Sequence, residues 1–230
     1  MIKITWHGHS CFTLSSELYD IVLDPYEPES VPGLEPLELL ADDVYCSHYH
    51  GDHGCEWIVD IREEHEDDPF KVTEIRSFHD PEGGKLRGEN VIRIFNAKGV
   101  KVAHLGDIGC ELTKEQKEKL TGLDAIMVPV GGFFTIGPKE AKKLMDELKP
   151  NVVIPMHYRG EGFGYDVIGT LDEYTKLCDN VVEYDTNEIE IKKNMPAQTA
   201  VLKLIQESVP AVDCEPCVLC SEFRSEARTV

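Results

Sequence analysis

The sequence predicts an α/β (α+β) protein in which two mixed β-sheets pack face to face with helices outside, a four-layer αβ/βα sandwich. Three observations carry this. The first half reads as strands joined by short turns. In the second half strands alternate with helices. The chain has 230 residues, 41% of them hydrophobic and 29% charged, which suits one domain with a sizeable core. That domain is expected over residues 1–205, with 206–230 as a flexible, cysteine-containing tail.

Taken in order, Ile2 to Trp6 and Cys11 to Leu14 read as strands around the hairpin His7-Gly8-His9-Ser10. Asp20 to Asp24 is a third strand, stopped by Pro25. The prolines and Gly33 between Glu27 and Pro36 mark a surface loop. Asp43 to Ser47 is a short buried strand. Glu56 to Glu66 is expected to be a helix, with Trp57, Ile58 and Ile61 as its apolar face and Arg62 to Glu66, His65 included, as its solvated end. Strands follow at Lys71 to Phe78, Asn90 to Phe95 and Val100 to Leu105, the last two joined by the turn Asn96-Ala97-Lys98-Gly99.

Thr113 to Leu120 is a helix with Thr113 as N-cap and Gln116 three residues on, a capping-box pattern. Asp124 to Val130 is a strand, broken by Gly131-Gly132. Pro138 to Leu148 is a helix with proline at its first position. Val152 to Met156 is a strand ending at His157, and Leu171 to Leu177 a short helix. Val181 to Tyr184, Ile189 to Lys192 and Thr199 to Leu204 complete the strands.

The chemistry gathers at Ser47-His48-Tyr49-His50-Gly51-Asp52-His53-Gly54, a turn leaving the strand Asp43 to Ser47. Imidazoles and a carboxylate suit borderline divalent metals such as Zn, and also Fe or Mn. A single metal rarely needs four ligands so close together. His48 and His50 can point one way if Tyr49 is extended, with Asp52 and His53 pointing elsewhere, which suits two adjacent metals. A His-rich surface turn is the alternative.

His48-x-His50-x-Asp52-His53 matches the HxHxDH motif of the metallo-β-lactamase-fold superfamily of hydrolases. From Met1 to about Leu204 the chain resembles a bacterial and archaeal branch of it, Zn-dependent hydrolases similar to ascorbate-6-phosphate lactonase. The resemblance implies that His48, His50 and His79 hold one metal, that Asp52, His53 and His157 hold a second, and that Asp107 bridges them. His79, Asp107 and His157 each follow a predicted strand, in the superfamily's order. The resemblance also places Gly8-His9-Ser10 near the metals. His9 is thus a candidate catalytic residue beside Asp52, with a plain hairpin histidine as the alternative. His104 is expected to be a buried, hydrogen-bonded side chain or a partner that supports a ligand, rather than a ligand itself. Phe133, Phe134, Tyr158 and Arg159 are candidate pocket residues, Arg159 as the partner of a substrate carboxylate or phosphate, with a plain surface arginine as the alternative.

The charge narrows the partners. With 23 Lys and Arg against 43 Asp and Glu, the net charge is −20. This weighs against nucleic acid, whose affinity comes from basic residues on phosphates, and against anionic membranes. A small-molecule substrate is expected, with a homo-oligomer left open. A strand pattern begins at once, with no signal-peptide or transmembrane run, so a cytoplasmic protein with reduced thiols is expected. Two divalent cations, Zn first and Mn or Fe as alternatives, would share a bridging hydroxide that attacks a lactone, ester or phosphoester in a small anionic metabolite. The other reading is a metal-binding sensor without turnover. The tail carries Cys214-x-x-Cys217-x-x-Cys220, either a thiolate site or an unstructured extension.

Overall fold

The computed structural model describes residues 1–64 and 67–206. His65 and the tail cysteines Cys214, Cys217 and Cys220 lie outside the described residues. The chain opens with β1 (Ile2–Gly8), β2 (Cys11–Ser16) and β3 (Tyr19–Leu23), a meander paired Ile4 to Leu14 and Leu14 to Ile21. β4 (Leu39–Ala41), β5 (Asp43–Tyr45) and β6 (Val59–Ile61) are short. β7 (Phe70–Phe78), β8 (Glu89–Ala97) and β9 (Val100–His104) form a second antiparallel meander. The rest is α1 (Lys114–Leu120), β10 (Ala125–Pro129), α2 (Pro138–Leu148), β11 (Val152–Met156), α3 (Leu171–Thr175), β12 (Val181–Glu183), β13 (Glu188–Ile191) and β14 (Gln198–Val201).

Among the described residues β4 and β6 pair with each other alone; the other strands make two mixed sheets, in the orders β13-β1-β2-β3-β5 and β12-β14-β11-β10-β9-β8-β7. Alternation decides their faces. Ile2, Ile4, Trp6, Phe12, Leu14, Ile21 and Leu23 of the first sheet share one buried cluster with Ile92, Phe95, Val102, Ile126 and Ile154 of the second. The α/β sandwich is therefore as expected, with the core between the sheets.

α1 and α2 link parallel neighbours of the second sheet. α1 starts with the capping box foreseen at Thr113 and Gln116. α2 has Pro138 in its first turn, sends Ala141, Leu144, Met145 and Leu148 into the core, and ends on Lys149 in the left-handed region.

The outer side of the first sheet is built otherwise. Cys11 and Val22 on that side pack with Tyr26, Val31, Leu34 and Leu37 from the proline-rich segment, and with Ala41 and Val59. The expected helix Glu56 to Glu66 is instead one 3-10 turn, Glu56–Ile58, followed by β6, which pairs parallel with β4. The reasons are local. Cys55 offers no side-chain cap to a helix start, and β-branched Ile58, Val59 and Ile61 favour extended backbone. Arg62 leaves this ribbon to donate to Asp20 at 2.7 Å and to Asp42 at 2.5 Å.

The two assignments differ in a measurable way. In the structure Val59 is buried, while Trp57 and Ile61, on the face a helix would bury, are 74% and 51% exposed. Val59→Ala should cost about 1–3 kcal/mol of unfolding free energy, and Trp57→Ala or Ile61→Ala less than about 0.5. Denaturant titration of the three variants checks this; the reverse ranking would restore the helix.

Candidate metal centre

The side chains singled out by sequence come from loops at one edge of both sheets. β1, β3 and β5 run the same way in the first sheet, and β7, β9, β10 and β11 in the second. Their C-terminal ends carry His9, Asp24, the turn His48 to His53, His79, Asp107 and His157. The crevice beyond the carboxyl ends of strands is where open α/β sheets place ligands.

There the described residues form three groups. Asp24, His48 and His53 are one; the other two are His48, His50 and His79, and His9, Asp52, His53 and His157. Within each group the ligand-type atoms lie within 4.8 Å of one another. Asp107 stands between the last two. Its Oδ1 is 3.3 Å from His53 Nε2, and its Oδ2 is 3.2 Å from His79 Nε2 and 3.1 Å from His157 Nε2. His9 Nε2 lies 3.4 Å from Asp52 Oδ2.

A buried carboxylate that sequence reasoning missed, Asp24, decides which ring nitrogens face this cluster. Asp24 accepts from Ser47 N and from Ser47 Oγ, both at 2.6 Å, and from His53 Nδ1 at 2.8 Å. The Ser47 hydroxyl has one proton and gives it to Asp24, so at 3.0 Å it must accept from His48 Nδ1. Both rings then hold a proton on Nδ1 and turn Nε2 inward, the nitrogen a cation would take, the arrangement of carboxylate-supported metal-ligating histidines. His48 Nε2, His53 Nε2, His157 Nε2 and Asp107 Oδ1 are buried and without a hydrogen bond. Atoms left so in a protein interior cost about 1–3 kcal/mol each. Converging imidazole lone pairs beside two carboxylates fit a borderline divalent cation, so the residues present suit a metal centre.

The charges agree. Burial, with His53 beside it, pushes the His48 imidazole down to about 3, and burial with His157 pushes His9 down to about 4. Burial also works against charge at Asp107, yet His157 and His53 hold its carboxyl well below the usual range. At His53 burial again opposes charge, and the facing Asp107 and Asp52 outweigh it and raise its pKa.

Backbone detail supports the cluster. Asp107 N donates to Asn90 Oδ1 at 2.9 Å, while Asn90 Nδ2 donates to Ser77 Oγ and Leu105 O. His9, Asp24 and His157 have φ of 48°, 47° and 53°, a conformation that costs a non-glycine residue energy and is retained mainly at functional sites. His104 is buried: Nδ1 accepts from Gly106 N at 3.1 Å, so Nε2 carries the proton and donates to Ser10 O at 3.0 Å. His7 pairs with Thr13 Oγ1 at 2.7 Å.

Of the expected pocket residues, Phe134 has its ring 6.5 Å from that of His157, and Phe133 is exposed next to it. Tyr158 is a core residue, packed on Trp6 and Phe163. Arg159 is half-buried, with its N–H on Gly169 O. Tyr165, unremarked in the sequence, joins the site: its hydroxyl is 2.8 Å from Ser30 O and 3.3 Å from Asp52 Oδ2.

Residues 3–157 match the family model described as "Beta-lactamase superfamily domain". A UPF0173 metal-dependent hydrolase of Thermococcus onnurineus (strain NA1) is 30% identical over 191 residues, covering 69% of this chain and 85% of the relative. The chain belongs to this family of metal-dependent hydrolases. A crystal structure from Thermotoga maritima, assigned to the Zn-dependent hydrolases of the metallo-β-lactamase superfamily, superposes on the hydrolase with a TM-score of 0.70 at 35% identity, covering 88% of this chain and 98% of that one. A metal-dependent hydrolase structure from Parabacteroides distasonis ATCC 8503 shares the fold at 16% identity, with a TM-score of 0.59 and coverage of 89% and 94%. Among the described residues no helix is long and apolar enough to cross a membrane.

Two outcomes follow for the hydrolase. Asp24→Asn keeps the shape but removes the charge that orients His53 and, through Ser47, His48; metal affinity should fall about 10–100-fold. Calorimetric titration with Zn measures it, and unchanged affinity would remove Asp24 from its supporting role. The second concerns pH. His7, His9 and His48 are pushed down to about 4, about 4 and about 3, whereas unfolded histidines titrate near about 6.5. Between these values the unfolded chain binds protons that the folded chain does not, so stability falls as pH falls. His53, raised in the fold, adds stability below about 6.5 that is partly lost by pH 7, so this one group offsets only part of the loss from the other three. Chelator-treated protein should therefore unfold at lower denaturant at pH 5 than at pH 7; equal midpoints would contradict the burial of neutral imidazoles.

Proposed function

We propose that the protein is a dinuclear hydrolase that cleaves a lactone, ester or phosphoester bond in a small, anionic metabolite. In this reading His48, His50 and His79 hold one divalent cation, Asp52, His53 and His157 hold the other, and Asp107 joins them. The observation that carries it is the meeting of two ligand groups at the single carboxylate of Asp107, with inward nitrogens that have no hydrogen bond. Divalent cations held there, Zn first and Mn or Fe as alternatives, supply a Lewis acid for the carbonyl or phosphoryl oxygen and lower the pKa of water toward neutrality.

The chain's own residues do the rest. Asp24 and Ser47 keep His53 and His48 in the tautomer that offers Nε2. Asp52 Oδ2, against His9 Nε2 and the Tyr165 hydroxyl, is the oxygen placed to orient an attacking water. Burial and Asp52 push the Tyr165 hydroxyl up, so near neutral pH it keeps its proton, which it gives to Ser30 O at 2.8 Å while its oxygen stands beside Asp52. Phe134, with Phe133 against it, puts an apolar ring beside His157. The net charge of −20 supports a small-molecule substrate over nucleic acid, and a cytoplasmic setting accords with the free thiols Cys11, Cys46 and Cys55.

After reconstitution with Zn or Mn, elemental analysis should find about two metals per chain, as a two-metal site requires. The loaded protein should hydrolyse members of a panel of lactones and phosphodiesters, and chelation should abolish this. Asp107→Asn should weaken the second metal and lower activity at limiting metal, with partial recovery in excess; His104→Gln should leave stoichiometry unchanged. One metal or none would sink the dinuclear reading. Two metals with no turnover on any panel member would favour a binding protein on the same fold.

A further inference from the structure

Arg87 is separated from the candidate metal centre by the ring of Phe134 and is half-buried, in a chain of 43 acidic and 23 basic side chains. Arg62 and Arg93 are paired with carboxylates. Arg87, like Arg76 and Arg159, is not, among the described residues, but it alone of these three lies over an aromatic ring that reaches a candidate ligand. Its Nη2 donates to a carbonyl, Phe133 O, at 3.2 Å, and its Cζ lies 5.7 Å from the centre of the Phe134 ring. That ring is 6.5 Å from the His157 ring and 5.8 Å from the Tyr165 ring. Guanidinium, aromatic wall and candidate ligands therefore adjoin in one continuous set of contacts.

The placement is built into the backbone. Asp80, the neighbour of His79, is fully buried. Its Oδ1 accepts from Glu82 N at 2.8 Å and Gly84 N at 3.1 Å, and its Oδ2 from Leu86 N at 3.0 Å and Arg87 N at 2.8 Å. His79 N donates to Gly88 O at 3.1 Å and closes the loop. One carboxylate thus ties the Arg87 backbone to the residue that carries the His79 imidazole into the centre. Of five guanidinium N–H donors one is committed to Phe133, and stacking on an aromatic face orients the planar group without using the rest.

We propose that Arg87 is a specificity-determining residue, binding a carboxylate or phosphate carried on the substrate away from the scissile bond while the reacting end lies at the paired ligand groups. This rests on the hydrolase reading above. Fork-shaped, charge-assisted hydrogen bonds to planar or tetrahedral oxyanions are what a guanidinium offers and an ammonium does not. A neutral ester would lose nothing if Arg87 were replaced; an anionic one would bind less tightly.

The test uses binding rather than turnover. Metal-loaded wild type, Arg87→Gln and Arg87→Lys are titrated calorimetrically with acetate, with the dicarboxylates succinate, adipate and suberate, and with phosphonocarboxylates of matching lengths. Acetate has no second anionic group and should bind all three alike. At least one of the longer probes should bind wild type about 10–100-fold tighter than Arg87→Gln, the worth of a hydrogen bond between charged groups. Arg87→Lys should fall between, since it keeps the charge and loses the fork. A larger loss for the phosphonocarboxylate would assign the remote group as phosphate, and a larger loss for the dicarboxylate as carboxylate. Equal affinities of every two-ended probe for wild type and Arg87→Gln would overturn the proposal, as would wild type binding none of them tighter than acetate. Because no step reads catalysis, an inert metal-loaded protein would overturn the hydrolase reading while these titrations still decided Arg87.

Discussion

The centre depends on one interaction, the buried carboxylate of Asp24 under His53 and Ser47. Taking a charge out of water costs several kcal/mol unless hydrogen bonds replace its hydration. Here a backbone N–H, a hydroxyl and an imidazole N–H do so. The return is directional. One carboxylate sets the proton position of two rings at once, His53 directly and His48 through a hydroxyl. It does so from a left-handed backbone conformation, at a residue that a following proline restricts further. The same contacts join the end of β3 to the start of the ligand turn after β5, so the parallel pairing of these strands positions the chemistry as well as the sheet.

Close approach between loops is the second constraint. A Cβ at Gly106 would lie 2.3 Å from Asn90 Oδ1, and one at Gly131 would lie 2.2 Å from His157 O. Gly106 also has φ of 55°, open to glycine and strained for other residues. Gly106 lets the Asp107 loop close on the Asn90 and Ser47 side chains, and Gly131 lets the loop after β10 close on the backbone of His157. Metal-type residues from different strands can then converge without long, floppy side chains, as precise sites on rigid elements require.

Much of this was legible in the sequence, for physical reasons. α2 is bounded by Pro138 and Pro150 and has apolar residues at helical spacing, so propensity, pattern and caps agree. The ligand-type residues at strand ends were readable because a strand's C-terminal edge is where side chains leave the core. The same logic applied to Asp24, which follows β3 and precedes Pro25, would have flagged it; its dense hydrogen bonding has no local signature. The segment Glu56 to Ile61 misled because Trp57, Ile58 and Ile61 can lie on one helical face, whereas the burial of Val59 depends on β4, which is remote in sequence. Tyr165 lies in a loop between β11 and α3 with no periodicity, and only the fold brings it to Asp52. Tyr158 was misplaced because alternation past His157 does not say which neighbour, Trp6, will cover it.

The electrostatics of His53 connect the centre to folding. Three carboxylates, Asp24, Asp52 and Asp107, face this one buried ring, and together they favour a positive charge there against the cost of burial. Its Nδ1 already holds a proton toward Asp24, so the second proton would go to Nε2, the nitrogen aimed at Asp107 and Asp52. A proton and a divalent cation therefore compete for one atom. Either neutralises part of the converging negative charge, but only the cation also satisfies the inward nitrogens of His48 and His157, which have no hydrogen bond. Binding free energy at such a site adds to folding free energy, because the unfolded chain does not assemble the ligands. Acid acts against both terms at once: it occupies the ligand nitrogens and it protonates unfolded histidines that the fold keeps neutral.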